Sequence, residues 1–116
     1  MAMITLTGPT ATGKTRLAAL LADATGGEII SADSRQVFRG MDLGTGKDDS
    51  DYWVNGRQVP RHLTDIREAG ETYSVYEFVK DFHQACNEIL SKGKTVVLCG
   101  GTGMYIEAVL QGYALR

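Results

Sequence analysis

The segment GPTATGKT, residues 8–15, constrains this chain most, because it matches G-x-x-x-x-G-K-[ST] without a gap. An apolar run precedes it and a helical pattern follows it, which is the order in which this motif binds phosphate. Its glycines let backbone N–H groups converge on phosphate oxygens, and the helix N-terminus adds positive potential. The segment therefore predicts a phosphate-binding loop, in which Lys14 contacts the phosphates and Thr15 is a ligand of Mg²⁺.

Three apolar runs have the character of buried parallel strands, and a weaker fourth lies between the second and the third. They are residues 3–7, 27–31 and 95–99, with 62–66 as the weaker one. Helical patterns alternate with these runs, which predicts right-handed crossovers and a parallel sheet. We expect a single α/β core domain over residues 1–116, a three-layer P-loop NTPase-like domain with a small parallel sheet flanked by helices.

Apolar periodicity predicts three helices. The first should end at TGG (residues 25–27), and its apolar residues, Leu17, Leu20, Leu21 and Ala24, repeat at helical spacing. The second should begin at a capping box of Ser74 and Glu77 and end at Gly93. Its apolar stripe is Val75, Phe78, Val79, Phe82, Cys86, Ile89 and Leu90. The third should begin at Thr102 and continue through residues 103–112.

Residues 41–61 fit neither period and are expected to form a long loop, of a kind that is often functional. Within this loop, WVNGRQV (residues 53–59) places an Asn-Gly pair between strand-prone residues, which predicts a solvent-facing hairpin. No role for Trp53 follows from the pattern. His62 and His83 are isolated, so we expect packing or surface roles for both.

Two further segments follow predicted strands, and in a parallel sheet they emerge at the same edge as the phosphate loop. Asp33 either caps a short helix or supplies a carboxylate that holds Mg²⁺ or takes a proton. The glycines of CGGTG (99–103) allow close backbone approach to a ligand. Thr102 among them either caps the third helix or presents its hydroxyl to the site. Arg35 could contact phosphate or solvent, and Gln36 has donors and acceptors suited to a base edge.

Composition excludes several classes of protein. The formal net charge of −2 argues against nucleic-acid binding by this chain alone, since phosphate neutralisation needs clustered Lys and Arg. Cys86 and Cys99 lack metal-ligand spacing and are expected to be reduced core residues. Without a signal sequence or a membrane-spanning run, we expect a cytoplasmic protein with no membrane partner. The third strand ends in Cys99 instead of a carboxylate, which counts against ATP hydrolysis.

Five segments, in order along the chain, resemble the tRNA dimethylallyltransferases, the isopentenyltransferases that prenylate adenine in tRNA. They are GPTATGKT, GEIISADSRQVFRGMDLGTGK, HLTDI, ETYSVYEFVKDF and CGGTGMYIEAVLQG. The similarity runs over nearly the whole chain, and ISADSRQV followed by GGTG is far more specific than the phosphate loop alone. The resemblance implies transfer of a dimethylallyl group from dimethylallyl diphosphate to N6 of an adenine next to the anticodon. It also implies that Mg²⁺ is used and that pyrophosphate is released.

The resemblance implies roles for individual residues. Diphosphate binding would fall to Gly8, Pro9, Thr10, Ala11, Thr12, Gly13, Lys14 and Thr15. Asp33 would be the general base toward N6, and Thr102 would help to orient the amine or the leaving oxygen. The acceptor nucleotide would contact Asp33, Ser34, Arg35, Gln36 and Thr102.

The chain departs from the family in length. Family enzymes carry a helical insertion that clasps the anticodon stem and a further C-terminal part, and we expect both to be absent here. Three alternatives to the tRNA enzyme therefore stay open. They are an adenylate prenyltransferase that uses free AMP, ADP or ATP, a non-catalytic phosphate-binding fragment, and a small-molecule kinase that binds ATP. Self-association is one way in which a short chain could complete its sheet.

Overall fold

In the computed structural model, the described residues are 3–7, 14–32, 52–64, 66–68, 71–100 and 108–109. The strands are β1 (Met3–Thr7), β2 (Glu28–Ser31), β3 (Trp53–Val54), β4 (Arg57–Gln58), β5 (Arg61–His62) and β6 (Val96–Gly100). The helices are α1 (Lys14–Thr25) and α2 (Val75–Ser91).

The central sheet has four strands in the order β1-β6-β2-β5, and every neighbouring pair is parallel. Because side chains alternate along a strand, the two faces of the sheet carry separate apolar clusters. Ile30 and Leu98 pack with α2 on one face, whereas Ile29 and Val97 pack with α1 on the other. This α/β/α arrangement confirms the predicted three-layer domain with a small parallel sheet.

The three stronger strand predictions are confirmed to within one residue at each end. The weaker one, residues 62–66, is displaced, because β5 comprises only Arg61 and His62. It ends there since Leu63 has a φ of 66°, in the left-handed region that an extended strand cannot contain.

The predicted helix α1 is confirmed and ends at Thr25, but the apolar repeat that indicated it is not the side that it buries. Leu17 and Leu20 are 49% and 43% exposed, and the apolar residues that α1 buries are Ala18, Ala19 and Ala22. These alanines also repeat at helical spacing, so the sequence contained two possible faces. Small side chains let the helix lie close to the sheet, whereas leucines on the same face would hold it away. Close packing therefore selected the less hydrophobic face.

The prediction for α2 is confirmed. The Ser74 hydroxyl accepts a hydrogen bond from the Glu77 backbone N–H at 3.1 Å, and Gly93 follows the helix with a φ of 72°. Four residues of the apolar stripe are fully buried, namely Phe78, Phe82, Cys86 and Ile89. Of the third predicted helix, Ala108 and Val109 are helical, and the other residues lie outside the described part of the chain.

The predicted hairpin is confirmed as the antiparallel pair β3–β4. Asn55 and Gly56 form its turn with φ values of 54° and 80°, as a type I′ turn requires. Only one side of the hairpin faces solvent. Trp53 is 49% exposed, but Val54 is buried against α1, so the hairpin covers part of one face of the domain.

Candidate functional site

The carboxyl ends of three adjacent strands lie side by side at one edge of the sheet. Thr7 of β1 is in register with Gly100 of β6, and Ser31 of β2 is in register with Cys99. The Ala32 backbone N–H donates to the Cys99 carbonyl at 2.8 Å, which extends this alignment past the end of β2. The three predicted site segments directly follow these strand ends in the sequence. The structure therefore confirms that they leave the sheet at a common edge.

Gly100 is required by its neighbouring strand. A Cβ atom on Gly100 would lie 2.8 Å from the Ala32 Cβ and 3.0 Å from the Ala32 carbonyl oxygen. The sequence predicted that the glycines of this segment allow close approach to a ligand. For Gly100, the described contact is with Ala32, the residue after β2, and it brings the ends of β2 and β6 together.

Lys14 and Thr15 begin α1 and are buried, with 7% and 5% exposure. Backbone N–H groups in the first turn of a helix have no partner within the helix. They give the helix N-terminus a partial positive charge, which attracts anions. An ammonium group and a hydroxyl at this position add two further donors for phosphate oxygens. The beginning of α1 can therefore bind phosphate, as the motif predicts.

A narrow crevice opens beside Lys14 and Thr15. Its lining combines three polar residues, Lys14, Thr15 and Ser31, with Ala18, Ile29, Tyr52, Cys99 and Gly100. Sequence reasoning missed Tyr52 and Ser31. Ser31 lies two residues after Ile29 on β2 and therefore on the same face of the sheet, the one that packs on α1. The alternation of side chains along β2 could therefore have indicated Ser31. Tyr52 comes from the hairpin segment, and no local pattern points to its position.

The remaining predicted site residues lie outside the described part of the chain. They are Gly8, Pro9, Thr10, Ala11, Thr12, Gly13, Asp33, Ser34, Arg35, Gln36 and Thr102. Their roles stay predictions. Their sequence neighbours Thr7, Lys14 and Ala32 are described. Because consecutive Cα atoms are about 3.8 Å apart, the first residue of each site segment lies within that distance of its described neighbour.

A buried carboxylate organises the opposite end of the sheet. Glu28 is hydrogen bonded to Lys92 and His62, both at 2.7 Å, and to Lys94 at 3.1 Å. Burial by itself raises the pKa of Glu28, but the hydrogen bonds from Lys92, His62 and Lys94 outweigh it and lower the pKa to about 2. This cluster has a structural position, remote from the strand ends that carry the phosphate motif. It confirms a packing role for His62, and His83 packs edge-on against Phe82.

Within the described ranges, no cluster of three His, Cys, Asp or Glu residues could hold a metal ion. Cys86 and Cys99 are buried and form no disulfide, as predicted. None of the helices in the described segments is long and apolar enough to cross a membrane.

Comparisons with known proteins agree on one family. A family model described as IPP transferase matches residues 36–116. The tRNA dimethylallyltransferase 1 of Porphyromonas gingivalis is 63% identical over 97% of this chain, and that of Parabacteroides distasonis is 58% identical over the same share. This chain spans about 37% of the length of these curated relatives.

Solved structures give the same result. The full-length tRNA isopentenylpyrophosphate transferase from Bacillus halodurans superposes with a TM-score of 0.85 at 40% identity, over 99% of this chain and 37% of that chain. A eukaryotic dimethylallyltransferase acting on tRNA superposes with a TM-score of 0.78 at 28% identity, over 91% of this chain and 26% of its own.

Proposed function

The chain belongs to the IPP transferase family, and from this premise we propose that it carries the catalytic core of a tRNA dimethylallyltransferase. The reaction moves a dimethylallyl group from dimethylallyl diphosphate to N6 of an adenine near the anticodon and releases pyrophosphate. One observation carries the proposal: the strand ends that precede all three site motifs share one edge, beside the buried Lys14 and Thr15.

The diphosphate binds at the beginning of α1. Lys14 and the first backbone N–H groups of the helix neutralise the charge that develops on the leaving pyrophosphate. The loop residues 8–13 supply further N–H groups. An allylic carbon–oxygen bond breaks readily once its leaving group is stabilised in this way, so leaving-group binding is the main contribution of this end of the site.

Thr15 is the residue that fits Mg²⁺. Magnesium takes oxygen ligands, and the Thr15 hydroxyl lies buried next to Lys14, where the diphosphate is proposed to bind. When bound, Mg²⁺ would supply additional positive charge to the diphosphate oxygens.

The acceptor amine reacts on the side of Asp33 and Thr102. A bond forms between N6 and the allylic carbon as the bond from that carbon to the diphosphate oxygen breaks, and the electron pair leaves with pyrophosphate. The proton on N6 passes to the Asp33 carboxylate, since an aromatic amine is a weak nucleophile until a base takes its proton. Thr102 orients the amine or the leaving oxygen, and Ser34, Arg35 and Gln36 contact the acceptor nucleotide.

The cytoplasm is the compartment that we propose for this activity. Two buried cysteines without a disulfide are consistent with a reducing environment, in which structural disulfides are rare.

Two substitutions separate donor binding from chemistry. Asp33→Ala should retain the affinity for dimethylallyl diphosphate and reduce transfer to an anticodon stem-loop by about 10²–10⁴-fold, the usual contribution of a general base. Lys14→Ala should lose both. Calorimetric titration with dimethylallyl diphosphate and a radiolabelled transfer assay measure the two effects.

Parallel assays decide between the proposed function and its alternatives. Transfer to AMP but not to the stem-loop would indicate an adenylate prenyltransferase, and pyrophosphate binding without transfer to any acceptor would indicate a phosphate-binding module. Phosphoryl transfer from ATP would contradict the proposal. Normal transfer by Asp33→Ala would show that Asp33 is not the base.

A further inference from the structure

We propose that Trp53 is a positioning residue for the acceptor RNA, and that an unpaired base of the anticodon loop stacks on its exposed indole ring. The inference rests on the proposed function and deepens it, because it assigns an acceptor contact outside the phosphate loop and the two acceptor segments. It also gives a role to a residue for which the sequence pattern indicated none.

The indole ring of Trp53 lies on the outer side of the hairpin. Trp53 is 49% exposed, whereas Val54, the next residue of β3, is 5% exposed and packs with α1. Because side chains alternate along a strand, the burial of Val54 directs the Trp53 ring to the opposite side. Tryptophan is highly buried on average. An indole exposed to solvent offers a flat apolar surface of the kind on which nucleic-acid bases stack.

Trp53 lies at the end of the hairpin that is nearest to the proposed diphosphate site. Its backbone carbonyl accepts a hydrogen bond from the guanidinium of Arg16, the third residue of α1, at 2.5 Å. Its neighbour Tyr52 lines the same crevice as Lys14. The turn of the hairpin, in contrast, contacts Asp23 near the other end of α1. Trp53 therefore borders the edge of the sheet at which the donor and the acceptor are proposed to meet.

The hairpin holds Trp53 in a fixed position. Trp53 is paired with Gln58 across the two strands of the hairpin. The Asp23 carboxylate of α1 accepts hydrogen bonds from Arg57 at 2.8 and 3.0 Å and from the Asn55 side chain at 2.9 Å. A residue that is ordered before binding loses little conformational freedom when its partner arrives, which favours its use as a contact surface.

A single-stranded RNA loop matches the chemistry of this surface. Unpaired bases stack on aromatic side chains, and phosphates attract guanidinium groups such as that of the exposed Arg16. The adenine that is modified has to enter the site at the edge of the sheet, so the loop nucleotides beside it lie on the surface that borders this edge. The net charge of −2 gives the chain little general attraction to RNA, which makes stacking the more effective contact.

The fluorescence of Trp53 tests the contact directly, because Trp53 is the only tryptophan in the chain. An anticodon stem-loop should quench its emission in the full chain through base stacking, whereas a blunt duplex of equal length, which has no unpaired bases, should not. Trp53→Ala should weaken the affinity for the stem-loop by about 5- to 150-fold, the range for loss of one base–aromatic stack. Anisotropy of a labelled stem-loop measures this affinity.

Leu20→Ala is the matched control, because Leu20 is 43% exposed on α1 and offers apolar area without an aromatic face. It should leave the affinity for the stem-loop unchanged. Trp53→Phe keeps an aromatic face and should lose less affinity than Trp53→Ala. Pyrophosphate affinity should be normal in all three variants, which shows that the fold and the anion site are intact. In the transfer assay, Trp53→Ala should raise the KM for the stem-loop and leave kcat unchanged.

Equal affinity of wild type and Trp53→Ala for the stem-loop, or equal quenching by the duplex, would overturn the role of Trp53. An emission spectrum that shifts with protein concentration in the absence of RNA would also overturn it, in favour of a second copy that covers the ring. A wild type that binds the stem-loop with quenching but transfers no dimethylallyl group would refute the proposed function alone. A wild type that neither binds nor modifies the stem-loop would refute both.

Discussion

Glu28 lies almost fully buried between three cationic or polar partners, with 3% of its side chain exposed. Each partner comes from a different position along the chain: His62 from β5, Lys92 from the end of α2, and Lys94 from the connection to β6. A charge in such a place costs desolvation energy, and the hydrogen bonds offset that cost only while the carboxylate is ionised. The contribution of Glu28 to the free energy of unfolding therefore depends on pH.

The lowered pKa of Glu28 fixes the direction of that dependence. Because the folded pKa is about 2 and the ordinary value is 4.5, the stabilisation is complete above about pH 4.5 and is lost as the pH falls toward 2. The full shift corresponds to at most about 3 kcal/mol. Glu28→Gln should therefore lower the free energy of unfolding by about 2–3 kcal/mol at pH 7 and by less than half of that at pH 3, as measured by urea titration.

Glu88→Gln is the control for this prediction, because Glu88 is an exposed carboxylate on α2. It should change the unfolding free energy by less than about 0.5 kcal/mol at either pH. A Glu28→Gln variant equally destabilised at both pH values would show that shape, and not ionisation, accounts for the effect.

At the scale of elements, α1 departs most from its pattern. A helix is expected to bury its most apolar stripe, yet α1 buries alanines and leaves Leu17 and Leu20 partly exposed. The buried side packs against the sheet and also against Val54 of the hairpin. A larger side chain at one of these alanines would therefore have to push the helix away from the sheet or the hairpin.

Enlarging this face should therefore be costly. Ala19 is fully buried, and Ala19→Leu should destabilise the fold by about 1–3 kcal/mol through overpacking. The matched change Leu20→Ala, at the next position but on the exposed side, should cost less than about 1 kcal/mol. Urea unfolding midpoints of the two variants give the comparison. A larger loss for Leu20→Ala would mean that the leucine side carries more of the packing.

At the scale of the whole molecule, side-chain hydrogen bonds hold the hairpin against α1. The contacts of Asp23 with Asn55 and Arg57 connect residues more than 30 positions apart. Hydrogen bonds from Arg57, followed by those from Asn55, lower the pKa of Asp23. The Asp23 carboxylate is therefore charged at neutral pH and accepts the hydrogen bonds from Asn55 and Arg57 in that form.

Removing the hydrogen bonds of Asp23 with Asn55 and Arg57 should detach the hairpin from α1 without unfolding the rest of the domain. Trp53 is the only tryptophan, so its fluorescence reports on hairpin docking. Asp23→Ala should shift the emission of Trp53 to longer wavelength in the native state and make the hairpin amides exchange faster with solvent. Glu77→Gln, which removes the partly exposed pair with Arg67, should leave the emission unchanged. Identical spectra for wild type and Asp23→Ala would show that the hydrogen bonds of Asp23 do not hold the hairpin on α1.

The sequence by itself determined the features that depend on near neighbours. The phosphate-loop motif, the Ser74 cap and the Asn55-Gly56 turn each follow from hydrogen bonds or dihedral preferences within a few residues. The alternation of strands and helices likewise determined the parallel sheet and the edge at which the site segments emerge.

Only the tertiary structure decided which face α1 buries, that Tyr52 lines the crevice, and that Glu28 gathers two lysines and a histidine. The partners of Glu28 lie 34 to 66 positions away, and Tyr52 lines the same crevice as Lys14, which is 38 positions away in the sequence. Contacts of this kind depend on the shapes of several elements at once. No periodicity along the chain encodes them, because periodicity records only how one element meets its own environment.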